Sequence, residues 1–340
     1  MRLSSISYFR AIAIILIVAG HCYPTVDLEL VSWPTRYAAN LLTGGTTFFV
    51  FISGYMFNHV FAPRFEYRQF MAAKCRNVLM PYLALAVPMS IYFVLRHPQD
   101  MAEVLGPADP ALQTIKALAT GYPLVGYWFI PFILVMFLAS PLHMRFIALA
   151  PMVRVAVVFL SLIVALFVQR PVENLNVFQS VLYFTPVYLI GILFSIYREP
   201  VLAALRGREY LLFAMAFAIA AVQTSMGLQG NGHKPMFTFA GIDLMLLQKL
   251  FLTIAIYATL ERCSVLHSQS LLLVSEASFA IFFLHPIVLI LLGWVHATHP
   301  TGWPWVDLVF VCTETVMICV AIAVTARRFL SHRSRLLLGY

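Results

Sequence analysis

Charged side chains are scarce in this chain, and their scarcity limits what the protein can be. Of its 340 residues 11% are charged and 61% are hydrophobic, and the mean hydropathy is +0.88. Soluble domains typically carry about 25% charged residues. The composition therefore excludes a water-soluble globular protein and predicts that most of the chain lies in a membrane.

Other features are missing as well. The five cysteines form no C-x-x-C pair, which argues against the disulfide framework of a small secreted domain. His296 and His299 have no carboxylate or thiolate beside them, so the sequence predicts no metal site. No low-complexity tract or long linker interrupts the sequence. We therefore expect one domain over residues 1–340.

Apolar runs long enough to cross a bilayer recur along the chain, since a spanning helix needs about 20 residues. The first is not a cleaved signal peptide, because Arg10 interrupts its apolar region. The sequence predicts an all-α polytopic membrane protein with about ten transmembrane helices. The predicted spans are 6–23, 43–60, 77–95, 126–142, 152–168, 178–196, 210–226, 242–260, 277–295 and 305–326.

Basic residues predict the orientation, because short cytoplasmic loops are enriched in Lys and Arg. With ten spans, the side that holds both termini has 16 of the 22 basic residues, and the opposite side has five. Both termini are therefore predicted to be cytoplasmic. The net charge of +8 reflects this asymmetry and an attraction to anionic membrane lipids. It does not indicate nucleic-acid binding.

The first predicted span carries two ionisable residues, Arg10 and His21. Eleven residues turn a helix through three turns plus roughly 20° and about 16 Å of rise, so both side chains lie on one face. Ionisable groups inside a span usually face the protein interior or a water-filled cavity. The alternative is that Arg10 reaches the headgroups and His21 marks the end of the span.

The basic segment before the third span is a second candidate site. Arg68, Lys74 and Arg76 lie in a cytoplasm-facing stretch that contains a single acid, Glu66. Guanidinium groups pair with phosphate oxygens, so this cluster is suited to a nucleotide-like donor. It also fits the ordinary excess of positive charge on the cytoplasmic side.

Polar residues in later spans have two interpretations each. His285 precedes Pro286 and either satisfies a carbonyl that the proline leaves free or contacts substrate. Trp128 is either an interface-belt aromatic or a residue at the depth of His21. Glu314 and Lys249 are intramembrane charges that are either structural or functional.

Several short segments together resemble one family, the acyltransferase-3 family of bacterial integral-membrane acyltransferases, which modify cell-surface glycans and related acceptors. They occur in the family's order and span most of the chain. The segments are Phe9-Arg10-Ala11 followed by His21, Phe48-Phe49-Val50-Phe51-Ile52-Ser53-Gly54-Tyr55, Lys74-Cys75-Arg76-Asn77-Val78-Leu79-Met80-Pro81-Tyr82, Trp128-Phe129-Ile130-Pro131 and Ser278-Phe279-Ala280-Ile281-Phe282-Phe283-Leu284-His285-Pro286.

The resemblance implies roles for the candidate residues. His21 would be catalytic, as a general base or as a carrier of the acyl group, with Arg10 as its charged partner. The donor would be cytoplasmic acetyl-CoA, or succinyl-CoA, with no permanently bound cofactor. The implied acyl-CoA contacts are Arg68, Lys74 and Arg76. The implied substrate contacts are Ser53, Tyr55, Trp128, His285 and Glu314.

We therefore expect a membrane O-acyltransferase in the bacterial cytoplasmic membrane. Its acceptor would be a hydroxyl of a cell-surface or lipid-linked glycan, and its other expected partners are acyl-CoA, membrane lipids and further copies of the chain in a homo-oligomer. Acceptor specificity would reside in the external loops 24–42, 96–125 and 227–241. The alternative is a glycan or glycolipid flippase, which Asp243, Lys249 and Glu314 would suit, although no internal repeat relates the two halves of the chain.

Overall fold

The computed structural model describes residues 4–26, 28–263, 268–296, 301, 303–331 and 334–340. Within these ranges the regular elements are helices, and one isolated bridge joins Arg170 to His233. The α-helices of the first half are α1 (Ser4–Cys22), α2 (Trp33–Leu42), α3 (Thr46–Met56), α4 (Tyr67–Lys74), α5 (Met80–Arg96), α6 (Pro98–Leu105), α7 (Pro110–Thr120), α8 (Phe129–Leu138), α9 (Ser140–Ala148) and α10 (Pro151–Val168). Those of the second half are α11 (Val177–Ile196), α12 (Arg198–Leu205), α13 (Glu209–Ser225), α14 (Leu244–Arg262), α15 (Gln269–Glu276), α16 (Ser278–His296), α17 (Pro304–Leu330) and α18 (Ser334–Leu338).

Every predicted span coincides with helix, which confirms an all-α polytopic membrane protein. Among the described residues, seven helical stretches are long and apolar enough to cross a bilayer, and the bent pair α8–α9 makes an eighth. Two predicted spans are shorter: α3 has 11 residues before a five-residue π-turn, and α13 has 17 residues. The count of ten therefore stays a prediction.

The fourth predicted span, 126–142, is not one straight helix. It begins at Phe129, and its two parts, α8 and α9, meet at 54° around Ala139. Pro141 lies in the first turn of α9, where it has no N–H to donate and its ring disfavours continuation of the preceding helix. The proline therefore explains the bend.

Two of the predicted external loops contain helices. Segment 24–42 holds α2, which packs against α13, and segment 96–125 holds α6 and α7. Within the second segment, α7 spans Pro110–Thr120. Its first turn is capped by Asp109, whose carboxylate accepts from the N–H groups of Ala111 and Leu112. These segments form ordered walls at one end of the bundle.

The first helix lies at the centre of the bundle. It packs against α3, α14, α15, α16 and α17, and most of its span is buried inside the protein. Only 11% of α10 is buried, so that helix lies at the periphery with most of its apolar surface turned outward. This position places both Arg10 and His21 inside the bundle, where polar partners are within reach.

The closest helix packing joins α3 to α11. A Cβ on Gly54 would lie 2.0 Å from the carbonyl oxygen of Tyr188, and one on Gly191 would lie 2.2 Å from that of Phe51. Small residues let helix backbones approach in this way inside membranes. The glycine of the Ser53-Gly54 motif therefore has a packing role.

The two ends of the described chain meet at one end of the bundle. Arg10, near the start of α1, and Tyr340, beyond α18, line the same cavity. Gly339 packs beside Phe279 and the backbone of Asn77. That both termini lie on the cytoplasmic side stays a prediction.

We predict that Gly54→Ala and Gly191→Ala each lower the free energy of unfolding by about 3 kcal/mol, because the added methyl group meets a backbone oxygen that cannot move aside. The measurement is thermal unfolding of the purified protein in detergent. Gly293→Ala is the matched control in another membrane helix, since its Cβ would meet only Thr25 at 3.9 Å. Equal melting temperatures for all three variants would contradict the proposed packing.

Candidate functional site

A polar cavity lies at the end of α1 that carries His21. Its volume is about 130 Å³. Trp128 contributes to its wall, so this residue and His21 share one cavity, as its predicted depth implied. The remaining wall residues come from α1 and the turn after it, α2, the loop into α3, α3, α8 and the segment before it, α16, and the segments after α10 and α13: Leu16, Ile17, Gly20, Tyr23, Leu42, Thr43, Gly44, Gly45, Thr46, Phe49, Gly126, Phe129, Arg170, Asn231 and Phe282.

A buried polar network holds the outer wall of this cavity. The side chain of Asn40 donates to Thr224 Oγ1 and to the carbonyl of Leu228, and its oxygen accepts from the N–H of Gly230. Gln248 donates to the carbonyl of Asn40. These bonds tie α2, α13 and α14 to the loop that carries Asn231. The position of Asn231 in the cavity wall is thereby fixed.

Lys249 belongs to the same network. Its ammonium is buried and donates to the carbonyl oxygens of Asn40 at 3.1 Å and Leu41 at 2.7 Å, at the C-terminal end of α2. Cations are favoured at helix C-termini, where carbonyls lack helical partners. The side chain also lies beneath Gly44, which has φ of +82° and no room for a Cβ. Lys249 therefore supports the loop that forms the cavity wall.

His21 forms a hydrogen bond with His285. Its Nδ1 lies 3.0 Å from Nε2 of His285, and the Nδ1 of His285 lies 3.0 Å from the carbonyl oxygen of Ile281. The two imidazole planes are nearly parallel, at 4°, and the ring centroids lie 5.2 Å apart, as expected for rings joined edge to edge by this bond. His285 thus bonds a carbonyl of its own helix, that of Ile281, which lies next to the Phe282 carbonyl that Pro286 leaves without a helical donor. A contact between His285 and substrate stays a prediction.

These two contacts fix the proton positions when both rings are neutral. A carbonyl oxygen only accepts, so Nδ1 of His285 carries a hydrogen and its Nε2 is an acceptor. The hydrogen between the rings then belongs to Nδ1 of His21. Nε2 of His21 is left with its lone pair, as a general base requires.

Arg170 is a buried cation in the wall of the same cavity. Its guanidinium carbon lies 4.7 Å from the centre of the Trp128 ring, and one nitrogen donates to the side-chain oxygen of Asn174 at 3.0 Å. Its Nε has no hydrogen-bond partner among the described residues. Burial lowers the pKa of Arg170, and the nearby acidic groups of Tyr183 and Asp243 oppose that shift.

A second, mostly apolar cavity of about 540 Å³ lies on another side of His21. Its wall comes from the segments after α1 and before α8 and from α5 and α16. It includes Pro24, Phe93, Pro123, Pro286 and Trp294. His21 therefore separates a polar space from an apolar one.

Arg10 lines a third cavity, also of about 540 Å³, at the opposite end of α1. Its guanidinium donates to Ser278 Oγ at 2.7 Å. Arg327 and Arg335 line the same cavity, together with Glu276 and Tyr340. Three arginines face one acid here, so the cavity is suited to an anionic ligand.

The predicted donor contacts lie elsewhere on this side of the bundle. Arg68 and Arg76 are exposed, and neither is in the wall of the Arg10 cavity. The ammonium of Lys74 is half-buried, 4.5 Å from the ring centre of Phe61 and 4.6 Å from that of Phe137. Lys74 is thus held by cation–π contacts.

Of the five predicted substrate contacts, Trp128 lies in a cavity wall and His285 reaches the site through its bond to His21, whereas Tyr55, Ser53 and Glu314 do neither. Tyr55 is buried, with ring centres 5.6 Å from Tyr257 and 5.9 Å from His59. Ser53 is half-buried on the same helix, beside the α3–α11 packing. Glu314 is half-buried in α17. The structure therefore groups Trp128 and His285 with His21, and leaves these three apart.

Several residues of the cavity walls were not predicted from the sequence. Arg170, Arg327 and Arg335 were counted only as loop charges. Asn231 and the glycines 44–45 carried no motif. No group of three or more His, Cys, Asp or Glu side chains in the described part of the chain is suited to a metal ion; His299 and the side chain of His296 lie outside that part.

Comparison with protein families shows that residues 3–324 match the acyltransferase-3 model, which is described as an acyltransferase domain. The chain therefore belongs to the acyltransferase-3 family and is a membrane acyltransferase. Searches of curated proteins and of solved structures found no match. The family assignment supports acyl transfer over the flippase alternative. Lys249, one of the charges that suggested a flippase, binds backbone carbonyls.

We predict that His285→Ala lowers the rate of acyl transfer roughly 10- to 100-fold, because Nδ1 of His21 then loses the acceptor that fixes its tautomer. His285→Gln should retain more of the rate, since its amide oxygen can accept the same hydrogen. The measurement is the transfer rate of each variant at matched expression in membranes. An unchanged rate for His285→Ala would contradict the assigned proton positions.

Proposed function

We propose that this protein is an O-acyltransferase of the bacterial cytoplasmic membrane. It moves an acetyl group from cytoplasmic acetyl-CoA to a hydroxyl of a cell-surface or lipid-linked glycan, with His21 as the general base. Succinyl-CoA is the alternative donor. The observation that carries the proposal is the hydrogen bond between His285 and His21, which itself lines the polar cavity; this bond leaves Nε2 of His21 as a proton acceptor.

The donor is proposed to enter from the end of the bundle that holds Arg10. The phosphates of coenzyme A would pair with Arg327 and Arg335 in that cavity, because guanidinium forms bidentate bonds with phosphate. Arg10 and His21 lie on one helix, about 16 Å apart along its axis. The flexible arm of the donor would run along this face and bring the thioester toward His21.

The acceptor is proposed to approach from the opposite end. The polar cavity offers Asn231, Trp128 and Thr43 to a sugar. The apolar cavity on the other side of His21 would accommodate the lipid portion of a lipid-linked acceptor. His21 borders both, so a sugar hydroxyl in the polar cavity would meet its Nε2 while the lipid remains in apolar surroundings.

The mechanism follows from the pair of histidines. Nε2 of His21 accepts the hydroxyl proton while the hydroxyl oxygen attacks the thioester carbonyl. His285 accepts the Nδ1 hydrogen of His21 throughout and holds the ring in place. Alternatively, Nε2 takes the acyl group first and passes it to the acceptor. The second route predicts acylated protein when donor is present without acceptor.

We predict that membranes containing the wild-type protein transfer label from radiolabelled acetyl-CoA to glycan as a base-labile ester, and that membranes containing His21→Ala lose at least about 100-fold of this rate, because the general base is gone. Protein expression is matched between the two. A brief incubation without acceptor separates the two routes, since only the relay route labels the protein.

Other results of this experiment show which part of the proposal is wrong. Equal transfer by wild type and His21→Ala would remove the catalytic role of His21. No transfer with labelled acetyl-CoA but transfer with labelled succinyl-CoA would change the acyl group and retain the chemistry. No ester with either donor would overturn the proposed function.

A further prediction separates the two candidate donor sites. The double variant Arg327→Ala/Arg335→Ala should raise the KM for acyl-CoA about tenfold with little change in kcat, because phosphate contacts contribute to binding in both ground and transition states. The matched control is Arg68→Ala/Arg76→Ala, which removes two exposed arginines on the same side of the bundle. A raised KM in this second variant alone would place the donor at the segment predicted from the sequence.

A further inference from the structure

The guanidinium of Arg170 is a cation without a full set of partners. The side chain is 4% exposed, and Nε has no hydrogen-bond partner among the described residues. Its contacts are the face of Trp128 and the neutral side-chain oxygen of Asn174. Asp243 and Tyr183 act on the guanidinium electrostatically, but neither forms a hydrogen bond or ion pair with it among the described residues, and Oδ1 of Asp243 accepts from the N–H of Leu246 as the N-cap of α14. An anion that binds beside a buried cation of this kind offsets the free-energy cost of burying its charge.

The segment that carries Arg170 is held rigidly. The N–H of Lys234 donates to the carbonyl of Arg170, and the side-chain amide of Gln179 donates to the carbonyl of Val168 and to that of Lys234. The ring of Trp128 packs against the guanidinium group. The position of the cation in the cavity wall is therefore set before any ligand arrives, as electrostatic stabilisation of a reaction requires.

The N-terminus of α3 lines the same cavity. Its N-cap residue is Gly45, and no side chain in the described part of the chain caps it. The first helical bonds run from the N–H of Thr47 to Gly44 and from that of Phe48 to Gly45. The N–H groups of Gly45 and Thr46 precede these bonds and have no acceptor within the helix. Such groups carry partial positive charge and bind anionic oxygens.

We infer that Arg170 and the N-terminus of α3 form an oxyanion site, which stabilises the negative charge that develops on the acyl carbonyl oxygen beside His21. The inference rests on the proposed function. It assigns a role to a residue that stood in the sequence only as an external charge. It also explains why a buried cation faces the cavity that contains the general base, where a fixed positive charge would otherwise oppose protonation of the imidazole.

The step balances as follows. The acceptor hydroxyl gives its proton to Nε2 of His21, and its oxygen forms a bond to the carbonyl carbon of the thioester. The carbonyl π electrons move to oxygen, which becomes the anion held by Arg170 and the α3 N–H groups. Collapse of this intermediate re-forms the C=O bond and breaks the C–S bond, and the departing sulfur takes the proton from His21. The products are the ester and free coenzyme A.

The test separates transition-state stabilisation from ground-state binding. Arg170→Gln should lower kcat about 100-fold and leave the KM values for donor and acceptor within about twofold, because the group acts on charge present only in the transition state. Arg170→Lys keeps the charge but not the planar fork, so its loss should be about tenfold. Arg36→Gln is the control: this external-side arginine donates to the carbonyl of Leu30 and is outside the cavity wall.

A binding measurement on purified protein gives a second readout that needs no turnover. The probes are the trifluoromethyl ketone analogue of acetyl-CoA, which adds water to form a tetrahedral hydrate that His21 can deprotonate to the anion, and its methyl ketone counterpart, which stays a neutral ketone. Wild type should favour the trifluoromethyl ketone, and Arg170→Gln should lose at least about tenfold of that preference. Melting temperatures test whether both variants are folded. If Arg170→Gln is not folded, both measurements are decided with Arg170→Lys.

Each other result overturns the inference. Unchanged kcat and an unchanged ketone preference remove any role for Arg170 in the reaction. A raised KM with unchanged kcat makes Arg170 a binding group for an anionic substrate, either a succinyl carboxylate or an acidic sugar, and comparison of the two donors tells which. If the wild type forms no ester from either donor, the proposed function fails as well, and the inference fails with it.

Discussion

A single buried ammonium group organises the end of the bundle where the candidate site lies. Lys249 donates to two carbonyls at the end of α2, and inside a membrane such carbonyls have no water to bond. The bonds fix the turn that follows, with Gly44 packed on the lysine side chain, and this turn leads directly into α3. The position of the α3 N-terminus, and with it one wall of the polar cavity, therefore depends on a charge that stays buried because its partners are carbonyls.

The same requirement shapes the site itself. A histidine in a membrane helix needs partners for both ring nitrogens, and His21 obtains one from His285 on α16. His285 in turn obtains one from its own helix, near the position where Pro286 removes a backbone donor. These two hydrogen bonds leave Nε2 of His21 as the one ring nitrogen of the pair without a partner among the described residues. The ring of His21 borders both the polar and the apolar cavity. Structural and chemical requirements thus select the same tautomer.

The helices were predictable from the sequence because apolar runs of about 20 residues favour membrane-spanning helices. The positions of Arg10 and His21 inside the bundle were predictable because each is an ionisable residue in such a run. The bend at Ala139 was not, since Pro141 near a predicted end could equally have closed the helix. The pairing of His21 with His285 joins residues 264 positions apart, and no periodicity reports it. Arg170 was not predicted, because in the sequence an arginine between two spans looks like any other loop charge. Its contact with the ring of Trp128 exists only in the folded chain.

The C-terminal segment has a practical consequence for handling the protein. Tyr340 stands in the wall of the Arg10 cavity, its carbonyl accepts a hydrogen bond from Ser334, and the guanidinium of Arg327 lies 5.2 Å from the centre of its ring. Residues joined after Tyr340, including a purification tag or a fluorescent fusion, would leave the chain at the mouth of that cavity. Fusion at this position is therefore expected to disturb the neighbourhood of three arginines, and a tag inserted in the exposed turn at Gly207, where nothing lies within 4 Å of an added Cβ, would avoid it.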